Sequence, residues 1–174
     1  MTLSLIDMKS FAARRRLLAG LGLALLGQTL RAEPARRGEA VQWPAQLPLL
    51  DGRVLTPADL RDQVTVVVFF ATDCGYCQRH NARIEKLVQA TRGAPLRVIA
   101  AAHDRQAEPV RNYLQQHRYS FAATLAQQPL HEALAQRRVI PLTCVIDRAG
   151  LLREVIPGEM SEDDVLGLAR WLQA

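Results

Sequence analysis

The chain has 174 residues, 49% of them hydrophobic, which is enough for one domain with a proper core. Its formal net charge of +5 belongs mostly to the first 32 positions: taking away Lys9, Arg14, Arg15, Arg16 and Arg31 together with Asp7 leaves +1. The remainder keeps no basic stripe, which argues against a nucleic-acid partner. No internal repeat is visible, and three cysteines allow one pair with one left over.

Lys9 and Arg14 to Arg16 form a positive region, Leu17 to Gly27 is apolar and uncharged, and Leu30-Arg31-Ala32 offers a small-residue cleavage site. Those are the parts of a signal peptide over residues 1–32. The apolar stretch is shorter than the roughly 20 residues that cross a bilayer. An uncleaved anchor is the alternative, and the only link to a membrane that is expected. Ala13 to Leu18 also resembles a twin-arginine signal without its leading Ser/Thr. Export to the periplasm, by the general secretory or the twin-arginine route, places the protein in an oxidising compartment. Residues 33–42 read as a flexible lead-in, and the folded domain is expected over 43–174.

Within the domain, Leu47 to Leu55 reads as a hairpin turning at Asp51-Gly52. Thr56 to Leu60 reads as a helical turn with Thr56 as N-cap and Pro57 at the first position. Val64 to Phe70 is a buried strand, Gln78 to Thr91 a helix, Leu96 to Ala102 a second apolar strand, and Glu108 to His117 a helix. Shorter elements follow: a strand over Ser120 to Leu125, a helix over Leu130 to Gln136, and strands at Thr143 to Ile146 and Leu152 to Ile156 around an Asp147–Gly150 turn. A final helix starts at Ser161, with Asp164 completing a near capping box. Arg79, Arg83, Lys86 and Arg92 read as the solvated face of their helix.

Cys74-Gly75-Tyr76-Cys77 sits directly behind the first buried strand. Two cysteines so spaced at a strand-to-helix junction form a reversible dithiol/disulfide couple. At the helix N-terminus, unpaired N–H groups and the dipole favour the Cys74 thiolate. Zinc would need two further Cys or His ligands, and the third cysteine, Cys144, lies in an apolar run. Haem attachment would need His at position 78, which is Gln. No metal and no cofactor beyond the disulfide is expected. Cys77 shares a helical face with Ile84 and Val88 and points inward, so Cys74 is the accessible nucleophile and Cys77 the resolving thiol. Asp73 is either the N-cap, the favoured reading, or a negative neighbour that disfavours the thiolate. His80, on the Cys77 face, either takes the Cys77 proton or is a hydrogen-bonded packing residue. Cys144 reads as a small buried hydrophobe, and His103, His117 and His131 as surface residues.

Strands alternating with helices, then a terminal hairpin and helix, describe an α/β sandwich around a mixed sheet, preceded by an N-terminal hairpin. This order, the CxxC after the first core strand, and Ile140-Pro141 before the strand at Thr143 resemble the thioredoxin fold. More narrowly, four features are similar to the exported TlpA/ResA-like thiol–disulfide reductases, which include the cytochrome c maturation thioredoxins. They are Asp59-Leu60-Arg61-Asp62, Phe69-Phe70-Ala71-Thr72, Val145 to Gly150, and the extra element Leu96 to His117.

The resemblance implies a protein-disulfide reductase acting on oxidised proteins, apocytochrome c among the candidates, and kept reduced by a membrane thiol donor. It implies a cis Pro141 against the CxxC, with the Ile140 backbone free to pair with substrate and Asp73 and Tyr76 on the substrate side. Several residues depart from the pattern. Asp73 replaces the usual Trp, His80 replaces an acid, and Val68 stands where thioredoxin keeps a buried acid. Gly75-Tyr76 is the dipeptide of periplasmic disulfide isomerases, whereas Ile140 is thioredoxin-like. A disulfide oxidant or isomerase is therefore one alternative, and a copper- or zinc-binding chaperone using Cys74, Cys77 and His80 is another.

Overall fold

The computed structural model describes residues 33–135 and 137–173; the expected signal peptide lies outside them. A five-stranded mixed sheet forms the centre. Its strands are β3 (Val64–Phe70), β4 (Leu96–Ala102), β5 (Ala122–Thr124), β6 (Leu142–Ile146) and β7 (Leu152–Pro157), after a separate small hairpin of β1 (Leu47–Pro48) and β2 (Val54–Leu55). The order across the large sheet is β5-β4-β3-β6-β7. β3, β4 and β5 run parallel, while β6 is antiparallel to β3 and β7 to β6. This is the expected α/β sandwich around a mixed sheet.

All seven residues of β3 are buried, which explains why its sequence is a continuous apolar run rather than an alternating one. Val64, Val66, Val68 and Phe70 face the layer that holds α1 (Gly75–Ala90), α2 (Ala107–His117) and α4 (Glu162–Leu166). Val67 and Phe69 face the other layer, with α3 (Gln127–Leu134) and the leucines of the hairpin. The hairpin turns at Gly52, whose φ of +91° suits a residue without Cβ. Asp51 takes the backbone N–H and guanidinium of Arg53 across that turn.

Three expectations need correction. The lead-in is attached: Ala35 N–H donates to Ala133 O, Gly38 N–H to Leu152 O and Val41 N–H to Gly150 O, and Glu39 O accepts from Leu152 N–H. α3 starts and ends earlier than expected, with Pro129 accommodated in its first turn. The terminal helix is α only to Leu166 and continues as a 3-10 helix over Gly167–Gln173. Ser161 caps it as expected, accepting from Asp164 N–H at 3.1 Å.

Candidate active site

The sheet register sets the site. Phe69 pairs with Leu142, so the end of β3, where the chain turns toward Cys74, lies beside Pro141 at the start of β6. The Ile140–Pro141 peptide is cis, as expected. Ile140 packs against the cluster that includes Cys74 and Cys77, and Pro141 O accepts from Gly158 N–H at 2.8 Å. The loop before Cys74 is fastened from the end of β4: the Asp104 carboxylate accepts from both Thr72 N–H and the Thr72 hydroxyl. Gln78 closes the same loop through Thr72 O at 2.9 Å.

Cys74 and Cys77 form a disulfide across the first turn of α1, with Cα atoms 5.2 Å apart. α1 begins three residues before the expected Gln78, and Cys74 itself is its N-cap: Cys74 Sγ accepts from Cys77 N–H at 3.3 Å. Asp73 is therefore not the cap. It is exposed and makes no hydrogen bond among the described residues. Cys74 is partly exposed, whereas Cys77 is fully buried, facing the core with Ile84. Tyr76 stands 65% exposed beside them, with the Arg79 guanidinium 4.8 Å above its ring.

His80 is fully buried one turn below Cys77. Its Nδ1 accepts from Met160 N–H at 3.3 Å, so Nε2 carries the proton and donates to Thr143 Oγ1 at 2.9 Å. Burial lowers its pKa from 6.5 to about 4, with the nearby Arg83 charge adding to the effect and Glu159 opposing it. Thr143 pairs with Val68 in the sheet register. The hydrogen bond between His80 on α1 and Thr143 on β6 therefore lies beside Val68.

The basic face of α1 is not simply solvated. Arg79 and Arg83 converge on Glu159, Arg83 also donates to Met160 O, and Lys86 pairs with Glu162. The hydrogen bond from Arg79, reinforced by Arg83, holds the Glu159 carboxyl below its ordinary range. None of these partners was foreseeable: they lie 76–80 residues from α1 in sequence.

His131 is not a surface residue. It is 2% exposed, stacks on Phe69 at 3.9 Å, and its Nε2 lies 3.2 Å from His103 Nε2. Burial lowers its pKa to about 4, helped by His103 and Arg138. Cys144 is a buried free thiol, as expected, and burial pushes it up to about 12. Among the described residues no three His, Cys, Asp or Glu side chains converge as a metal ligand set. Both nitrogens of His80 are engaged by protein partners rather than offered beside the thiols.

A Redoxin family model matches residues 35–170. Among solved structures, a thioredoxin-family thiol:disulfide interchange protein from Chlorobium tepidum TLS is 21% identical, with 80% of this chain and 99% of that one covered and a TM-score of 0.68. A secreted thiol-disulfide isomerase from Corynebacterium glutamicum is 17% identical, with 76% and 86% covered and a TM-score of 0.69. A secreted disulfide oxidoreductase from Mycobacterium tuberculosis is 13% identical, with 72% and 93% covered and a TM-score of 0.62. At these identities the likeness shows a shared thioredoxin-like fold. No curated protein matches the chain. With a family match that spans most of its length and a CxxC disulfide at the tip of α1, the chain belongs to the Redoxin family.

Proposed function

We propose that the protein is an exported protein-disulfide reductase. Redoxin membership and the Cys74–Cys77 disulfide support a thiol–disulfide oxidoreductase. The observation that carries the mechanism is the asymmetry of the two sulfurs, one partly exposed at the helix tip and one fully buried. In the reduced protein, the Cys74 thiolate is favoured by the N-terminal turn of α1, whose Cys77 N–H points at its sulfur. It attacks one sulfur of a substrate disulfide, the substrate's other sulfur leaves as thiolate, and a mixed disulfide forms on Cys74. Cys77, deprotonated, then attacks Cys74 Sγ and expels the second substrate thiolate. The substrate gains two electrons and the Cys74–Cys77 disulfide is restored. A membrane thiol donor on the export side returns the pair to the dithiol, and oxidised apocytochrome c is among the protein substrates.

Pro141 and the Ile140 backbone are assigned the edge along which an extended substrate lies, with Asp73 and Tyr76 flanking it. His80 is assigned a positioning role: it is neutral near pH 7, and relaying the Cys77 proton would require breaking its bond to Thr143 or to Met160. The reading is tested by the reduction potential of the pair, measured against glutathione. The reductase reading predicts a value near that of thioredoxin, about −270 mV; a value near about −120 mV would make it an oxidant instead. Gly75-Tyr76 is the feature that favours that second reading.

A further inference from the structure

Beside the cis-proline, on the face of the sheet opposite α1, an open groove of about 410 Å³ runs between the lead-in, the end of α3 and the β6–β7 pair. Leu134, Leu142 and Val155 contribute to its apolar floor, and Arg36, Arg37 and Arg137 to its rim. The groove adjoins the site: Leu142 follows Pro141 directly and pairs with Pro157, which also lines it. The exposed segment Arg137-Arg138-Val139 leads from the groove to Ile140 and the disulfide end. Val139, 45% exposed, and Tyr76 are two of the three large hydrophobic residues that the described chain exposes.

The charge of this rim is largely uncompensated. Among the described residues Arg137 has no acid partner and Arg37 reaches only Val155 O, at 3.5 Å. Arg36 meets Glu33 at 3.9 Å, with both side chains mostly in water, a pairing worth little. Glu39 accepts from the Arg36 backbone N–H rather than from its guanidinium.

We propose that the groove is a docking site for the protein substrate: it takes an acidic, partly apolar segment flanking the substrate's cystine. This rests on the disulfide-reductase reading and adds a preference to it. An extended flank of six residues reaches on the order of 20 Å, so a chain whose cystine lies at Cys74 can pass along Ile140 and Pro141 into the groove. Apolar side chains would rest on the leucine floor while carboxylates meet the arginines, and the attraction would raise the encounter rate.

The test uses the reduced full-length protein and three synthetic peptides with the same small cystine loop, their flanks built from Glu and Leu, Lys and Leu, or Ser and Leu. The second-order rate of disulfide reduction is measured at low salt and at about 0.5 M NaCl, where the Debye length is only a few ångströms. The proposal expects the acidic peptide to react about ten times faster than the basic one at low salt, with the ratio collapsing toward unity at high salt. Arg36→Glu/Arg137→Glu inverts the ratio. Arg61→Glu/Arg92→Glu makes the same change in net charge at the far end of β3 and α1 and keeps the wild-type preference. A wild-type ratio near unity, or a preference that survives Arg36→Glu/Arg137→Glu, overturns the docking site while leaving the reductase reading intact. Failure of the wild type to reduce even the Ser-flanked peptide overturns the reductase reading and this inference with it.

Discussion

The two flanks of the disulfide handle their polar groups in opposite ways. On the α4 side, Arg79 and Arg83 converge on Glu159, Lys86 meets Glu162, and His80 beneath them holds Thr143 and Met160. On the cis-proline side, Tyr76 and Val139 are exposed, Asp73 bonds to nothing among the described residues, and Arg137 has no acid. A buried polar group without a partner costs free energy, whereas an exposed one is satisfied by water. The paired flank is therefore the scaffold that fixes α1 under its cysteines. The open flank leaves its polar groups to water, and it is the flank that adjoins the proposed docking groove.

If that division is right, the largest loss of stability comes from the paired flank. His80→Ala leaves the Thr143 hydroxyl and Met160 N–H unpartnered in the core beside a new cavity, and should destabilise the fold by about 2–5 kcal/mol in urea unfolding. Among the molecules that remain folded, both thiol steps should keep their relative rates in stopped flow. A selective slowing of mixed-disulfide resolution would make His80 a proton relay instead. The pH dependence has a definite sign. His80 and His131 have folded pKa values of about 4 against 6.5 for the free side chain. The unfolded chain therefore binds more protons between those values. Stability is fully present above 6.5 and falls as the pH drops toward 4. His80→Gln should be less stable at neutral pH, yet lose less on acidification, as read by thermal midpoints across that range.

A smaller loss than that of His80→Ala is expected in urea unfolding from Glu159→Gln, which removes the charge shared by Arg79 and Arg83 at a solvent-screened position. A loss as large as that of His80→Ala would mean that the surface cluster, not the buried histidine, holds the flank together. On the open flank, Asp73→Asn should hardly change stability, because Asp73 caps nothing. Its charge is exposed and screened, so iodoacetamide alkylation of reduced Cys74 at neutral pH should accelerate by a few-fold at most. Slower alkylation would contradict the placement of that carboxylate near the thiolate.

How far the sequence could be read depended on where each element found its partners. The bounds of β3 were legible because both its faces are buried, and those of β4 because it is buried from Val98 onward, which leaves largely apolar runs. α3 was misplaced because its N-cap, Ala126, carries no capping side chain and so gives no start signal in the sequence. His131 was read as a surface residue because its stacking partner, Phe69, lies on a strand far away in sequence. The lead-in is polar, and its attachments are mostly made by backbone groups, so composition gave no sign of them. The cysteines and Pro141 stood out as motifs. Thr143, Glu159, Met160 and Asp104 did not, since each meets the site across a long sequence separation. The cap was assigned to Asp73 because Asp is a preferred N-cap residue, whereas the structure uses the Cys74 sulfur.

The most direct test of the account is the Cys77→Ser variant, reduced and then exposed to a model protein disulfide. With the resolving thiol gone and Cys144 buried and protonated, the reaction should halt after one attack. Intact mass and peptide mapping should then show a one-to-one mixed disulfide on Cys74. Continued turnover at the wild-type rate, or an adduct on Cys144 instead of Cys74, would contradict the two-cysteine mechanism.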